Sequence, residues 1–126
     1  MKPQSAKNKG RKLQQFVAAV IKNIFNLGEG DAESRPMGSA GVDIMSSPKA
    51  REKFPFSIEC KNTRSFPSLK ALNQSYVNEM PATLGCVVWK PPGKPMSESI
   101  IYFNFEDFAT FWKKEKGEVD AKIEDE

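Results

Sequence analysis

Three ionisable side chains within residues 41–61 are spaced for work on a phosphate. Asp43 lies inside a short apolar run with Val42 and Ile44, while Glu59 and Lys61 close a second run containing Phe56, Ile58 and Cys60. Side chains alternate along a strand, so Ser57, Glu59 and Lys61 share one face and Phe56, Ile58 and Cys60 take the other. If the two runs pair as neighbouring strands, Asp43 comes beside Glu59. Two carboxylates and one ammonium then meet against an apolar backing, which suits a hard divalent cation. Mg²⁺ takes one or two protein carboxylates together with waters and phosphate oxygens, and Asp43, Glu59 and the backbone carbonyl of Cys60 could supply the protein's share. Such an ion polarises a phosphoryl oxygen, lowers the pKa of a bound water and neutralises charge on the leaving oxygen. Lys61 would orient or deprotonate that water, or stabilise the transition state.

A salt bridge between Lys61 and one acid is the competing explanation, and it leaves the other carboxylate unbalanced at the edge of an apolar strand. Glu-x-Lys by itself is a weak signal in a chain with 11 glutamates and 15 lysines. Its context strengthens it: the triplet ends an apolar strand and has a partner acid in the preceding one.

The rest of the composition narrows the chemistry further. The chain has 126 residues and no histidine, which excludes Ser-His-Asp and Cys-His nucleophiles, histidine bases and histidine-bound zinc. Cys60 and Cys86 cannot form a structural zinc site by themselves. Each falls on the apolar face of a predicted strand, so buried thiols are expected rather than a disulfide. The net charge is +3, unevenly spread: residues 2–12 hold five basic residues and no acid, and residues 115–126 hold six acids against two lysines. A basic body with an acidic tail suits a polyanionic partner, although a solvated surface would look the same. With no apolar run near 18 residues and no signal peptide, the protein reads as soluble, intracellular and cytoplasmic, with no membrane association.

The elements that must position these groups follow from periodicity and punctuation. Residues 1–10 read as a flexible basic arm, residues 11–114 as one domain and residues 115–126 as an acidic, disordered tail. Leu13, Phe16, Val17, Val20, Ile21 and Ile24 recur at helical spacing, and Gly28 and Gly30 close that helix. Residues 27–40 read as a loop. Its small residues, Ser39 among them, would let backbone amides approach a phosphate with Arg35 adding charge, and an ordinary tight turn explains the glycines as well.

Residues 46–55 suggest a short helical turn or an extended hairpin tip, whose Lys49, Arg51 and Lys53 form a basic patch. Ser65 or Ser68 caps a helix running to about Met80, with Leu69, Leu72, Tyr76 and Met80 as its buried stripe. Residues 83–90 form a strand that is apolar on both faces and therefore central. A further strand spans residues 99–105, and Asn104 with Asp107 caps a last helix that carries Phe105, Phe108, Ala109 and Trp112. This order indicates an α/β fold with a mixed central sheet of about four strands flanked by helices.

Taken together, Gly38-Ser39-Ala40-Gly41-Val42-Asp43, then Pro55-Phe56-Ser57-Ile58-Glu59-Cys60-Lys61-Asn62, with Gln74 on the following helix, resemble the PD-(D/E)XK nuclease superfamily. The likeness is greatest to its Holliday-junction-resolvase-like and phage endonuclease members, and it covers residues 11–105. It implies a restriction-endonuclease-like core and a metal-dependent phosphodiesterase, in which Asp43 and Glu59 bind Mg²⁺ or Mn²⁺ and Lys61 serves the attacking water. Gln74 then helps hold the lysine or the substrate, whereas its spacing alone makes it an exposed helix residue. Family members often place a further glutamate ligand on the first helix. Here that turn has Gln14 and Gln15, and Glu33, or less readily Glu29 or Asp31, is the replacement from the loop.

The resemblance also implies a homodimer and the setting of a phage-encoded protein in a bacterial host. The expected function is a divalent-metal-dependent endonuclease acting on DNA, selective for a junction or other branched structure. Arg35, Ser39, Lys49, Arg51, Lys53, Asn62 and Arg64 would be its contacts to nucleic acid. The alternative is a non-catalytic nucleic-acid-binding protein on the same fold, which would bind with strong salt dependence and gain nothing from Mg²⁺.

Overall fold

The structure, a computed structural model, describes residues 3–117. Apart from its first residues, the expected acidic tail lies outside them. Among the described residues the fold is α/β, with four α-helices and two separate sheets. Helix α1 (Pro3–Ile24) starts earlier than its apolar periodicity predicts, so residues 3–10, read as an arm, are helical. Proline suits a first helical turn because its missing N–H would have no partner there. Asn26, with φ of 53°, ends the helix before either expected glycine is reached.

Strand β1 (Ala32–Ser34) pairs antiparallel with β2 (Ile44–Ser46) in a two-stranded ribbon, where the sequence reading had only a loop before Val42. Helix α2 (Pro48–Lys53) follows at once, capped by Ser47, whose hydroxyl accepts from the Ala50 amide. Of the two expected alternatives for this segment, the structure takes the helical turn.

Strands β3 (Phe56–Lys61), β4 (Leu84–Trp89) and β5 (Ile100–Tyr102) form the main sheet in that order, with β3 and β4 parallel and β4 and β5 antiparallel. The expected single sheet of about four strands is therefore three strands plus a ribbon. The ribbon meets β3 where the Asp43 amide donates to the Ile58 carbonyl (3.1 Å). One rung further on, the Cys60 amide donates to the Asp43 carboxylate instead of to a backbone carbonyl (2.7 Å). That substitution of a side chain for a backbone acceptor stops the ladder.

Helix α1 covers one face of the sheet: Leu13, Val17, Ala18 and Ile21 share a core with Ala32, Ile44, Phe56, Ile58, Cys60 and Cys86. Both cysteines are free and buried there, as expected, and burial pushes the Cys86 thiol up to about 12 and the Cys60 thiol well above its usual range. Helix α3 (Ser68–Val77) covers the other face through Ala71 and Leu72 against Val87. Leu69, expected in that stripe, is 69% exposed, and neither Ser65 nor Ser68 caps the helix; Pro67 stands at its start.

Gly85 lets α3 lie close to β4. A Cβ at this position would come within 2.5 Å of Ser75 Oγ. Asn104 accepts from the Asp107 amide (2.7 Å) at the start of α4 (Phe105–Glu115), as its spacing predicts. Of the aromatic residues on α4, Phe111 packs on Phe56, whereas Phe105, Phe108 and Trp112 of the expected set are exposed.

Candidate metal centre

Asp43 and Glu59 reach the site by different routes. Glu59 is placed by strand parity: it lies between Ser57 and Lys61 on the α3 face of β3, buried to 2% exposure. Asp43 is placed by the ribbon, which ends against the outer edge of β3. There its carboxylate accepts the Cys60 amide and lies within hydrogen-bonding reach of the Glu59 carboxyl. A strand residue's N–H and C=O point to the same side, so the Cys60 carbonyl faces the edge that Asp43 covers. The two carboxyls expected to act together are thereby brought to one edge of one strand.

The electrostatics record the strain of this arrangement. Burial, and then the neighbouring Asp43 charge, push Glu59 up to about 7. Burial also raises Asp43, while the Cys60 amide and the Lys61 and Arg35 charges pull it back. Each carboxyl thus keeps its proton to a higher pH than it would alone in water. Lys61 supplies positive field to both acids, yet among the described residues it forms no salt bridge. The simple ion-pair explanation of the triplet therefore fails on geometry, and the ammonium is left available to something else.

Supporting groups hold this geometry. Asn78, just past the end of α3, donates to Glu59 (3.3 Å). Gln74, the residue expected in that role, is exposed one turn earlier and gives only its backbone carbonyl to the Asn78 amide (3.2 Å). The signal for Asn78 was present in the sequence as a polar residue one helical turn beyond Gln74. Arg35 donates from Nε to the Val42 carbonyl (2.6 Å), and its amide to the Asp43 carbonyl (2.8 Å), so it braces the acid. Gly41, with φ of 119°, makes room for that guanidinium, which a Cβ would approach to 2.7 Å.

Gln14 is 6% exposed and its Oε1 has no hydrogen-bond partner. It lies one turn beyond Gly10, whose neighbour is Met37 of the ribbon loop, and near Lys9, whose carbonyl accepts from Asn62 (3.2 Å). The stretch of α1 that spans the ribbon and the end of β3 therefore carries a buried, unsatisfied oxygen.

The other expected contributors are scattered. Glu33 shares a groove with Gln15, Lys22 and Glu29 and does not join the pair. Glu29 is bound by Lys22 (3.5 Å). Asp31 accepts from Gly28 (2.7 Å) and Ser47 (2.8 Å), bonds that lower its pKa, so it is committed to holding the ribbon and α2. Among the described residues, no group of three or more acidic, thiol or imidazole side chains could hold a metal.

Lys49, Arg51 and Lys53 sit on α2 near the opposite end of β3, roughly 16–20 Å from Lys61 at strand rise. There Arg51 donates to the Ser46 carbonyl and Lys53 to the Phe25 carbonyl. Ser39 is exposed and returns its hydroxyl to the Pro36 carbonyl. Of the expected nucleic-acid contacts, only Arg35, Asn62 and Arg64 come near this end of the sheet. Among the described residues, no helix is long and apolar enough to cross a membrane. Comparison with protein-family models, curated proteins and solved structures yields no match, so the case for the site rests on its own geometry.

Proposed function

We propose that the protein is a divalent-metal-dependent endonuclease that hydrolyses DNA phosphodiester bonds, with a restriction-endonuclease-like core of the PD-(D/E)XK type. The observation that carries this reading is the convergence of the buried Glu59 carboxyl and the half-buried Asp43 carboxyl beside a strand whose last residue, Lys61, forms no salt bridge among the described residues. Carboxyls crowded in this way destabilise the site unless a proton or a cation lies between them. The donors this reading assigns are Asp43, Glu59 and the Cys60 carbonyl, all oxygens, the type that Mg²⁺ or Mn²⁺ takes. When bound, such an ion supplies Lewis-acid polarisation of the scissile phosphate.

The remaining work belongs to the chain. Asp43 and Glu59 act as carboxylates, so Glu59 must give up the proton it holds without the ion. The Cys60 amide and Asn78 fix the orientation of the two acids. Lys61 orients the attacking water and sets a positive charge against the phosphate as negative charge builds there. Selectivity for branched DNA and a homodimer with two paired sites belong to the same proposal, since symmetrical cutting of two strands needs two centres.

The test is cleavage of labelled four-way junction, flap, duplex and single-stranded DNA in Mg²⁺ or Mn²⁺, with Asp43→Ala and Lys61→Ala alongside. Metal-dependent cutting that both substitutions abolish is the expected result. Binding without cutting in either metal would replace this reading with a non-catalytic nucleic-acid-binding protein.

A further inference from the structure

Beyond the C-terminal ends of β3 and β4 lies a surface that the metal centre does not use. A cleft of about 330 Å³ opens there, lined by Lys9 and Lys12 of α1, by Asn62, Thr63 and Arg64, and by Lys90. Four of its lining side chains are cationic and none is acidic. Among the described residues none of the four enters a salt bridge. Their charge is therefore uncompensated, and it is gathered from three separate parts of the chain.

Two residues past Arg64, Phe66 is 54% exposed and yet held in place. Its ring stands edge-on to Trp89 (5.3 Å between centroids) and tilted against Tyr102 (4.9 Å). Trp89 is anchored by donating from Nε1 to the Thr63 carbonyl (3.0 Å), and Tyr102 by donating to the Ser68 carbonyl (2.9 Å). Trp89 is also the cross-strand neighbour of Lys61, so this aromatic platform adjoins the reactive strand end.

Cations that follow phosphates, next to a rigid exposed ring on which a base can stack, form the physical recipe for holding a single strand. A base inside a duplex is already stacked on its neighbours and cannot use such a ring without leaving the helix. We infer that this surface is a binding track for single-stranded DNA, with Phe66 stacking one base and Lys9, Lys12, Arg64 and Lys90 bearing the phosphates. Resting on the nuclease reading, it further assigns the substrate class as DNA with an unpaired stretch beside the bond to be cut.

The experiment is fluorescence anisotropy of the full chain in EDTA, with one labelled oligonucleotide presented as a single strand and as a duplex. The wild type should prefer the single strand. Lys12→Glu with Arg64→Glu should weaken single-strand binding at least tenfold and flatten its salt dependence. Phe66→Ala should weaken single-strand binding about tenfold, leave duplex binding unchanged, and be rescued by Phe66→Trp. Equal affinity of the wild type for the two forms, or unaltered single-strand binding by Phe66→Ala, overturns the track. Because EDTA silences any cleavage, loss of the track and loss of the nuclease reading are separable: intact single-strand binding with no cutting in Mn²⁺ would condemn only the latter.

Discussion

Ser57 and Glu59 stand two residues apart on β3, face the same side of the sheet and are both buried, yet their polar atoms meet opposite fates. The Ser57 hydroxyl accepts the Met80 amide (2.8 Å) and pairs with Thr83 (2.6 Å), which in turn donates to the Met80 carbonyl (2.6 Å). At that end of the strand Phe54, Phe56, Phe103 and Phe111 close the other face with ring contacts of 4.9–5.2 Å. Glu59 instead confronts a second carboxyl, and the nearby lysine pairs with neither. A strand that satisfies every buried group at one end and crowds like charges at the other is stabilised by the first so that the second can persist. Satisfied and crowded polar groups are thus divided along six residues.

If that division holds, substitutions at the two ends should separate cleanly. The largest effect belongs to the crowded end: Asp43→Ala and Lys61→Ala should each lower metal-dependent cleavage by about 10³-fold, with Lys61→Ala leaving the unfolding midpoint near its wild-type value. Ser57→Val should do the reverse. It strands the Met80 amide and Thr83, and should destabilise the protein by about 2–3 kcal/mol in urea unfolding, with cleavage per folded molecule retained. Gly85→Ala, which forces a methyl onto Ser75 and α3, should cost about 1–3 kcal/mol by the same measurement.

The pH dependence sharpens the contrast. Glu59 is raised from 4.5 to about 7 in the fold, so the stability linked to its protonated form is complete below its unfolded pKa and is lost as pH rises through about 7. In EDTA the unfolding midpoint should therefore fall between pH 5 and 8, and Glu59→Gln should flatten that fall. The smallest expected effect is that of Asn78→Ala, which removes one bond to Glu59 and should lower cleavage only severalfold.

How much of this was legible beforehand depended on whether the signal was local. Strand parity put Glu59 and Lys61 on one face, and the α/β order followed from the alternation of periods. Asn104 and Asp107 announced α4 through their three-residue spacing. β1 was missed because three residues between a glycine-rich turn and Arg35 carry no periodicity, and only pairing with β2 makes them a strand. Lys49, Arg51 and Lys53, close in sequence, lie on α2 at the far end of β3 from Lys61, a placement their spacing could not give. The cationic cleft was invisible for the opposite reason: Lys9, Lys12, Arg64 and Lys90 come together only when α1 runs past the ends of β3 and β4. Phe111 was not among the residues read on α4, because that helix meets the core through one narrow face.

The most direct measurement is calorimetric titration of Mn²⁺ into the full chain at neutral pH, with Asp43→Ala, Glu59→Gln and Ser57→Ala measured beside it. The account predicts saturable binding in the wild type and in Ser57→Ala, and its loss in both acid variants. Binding undiminished by Asp43→Ala, or none that saturates in the wild type, would contradict the claim that the crowded end of β3 is a metal centre.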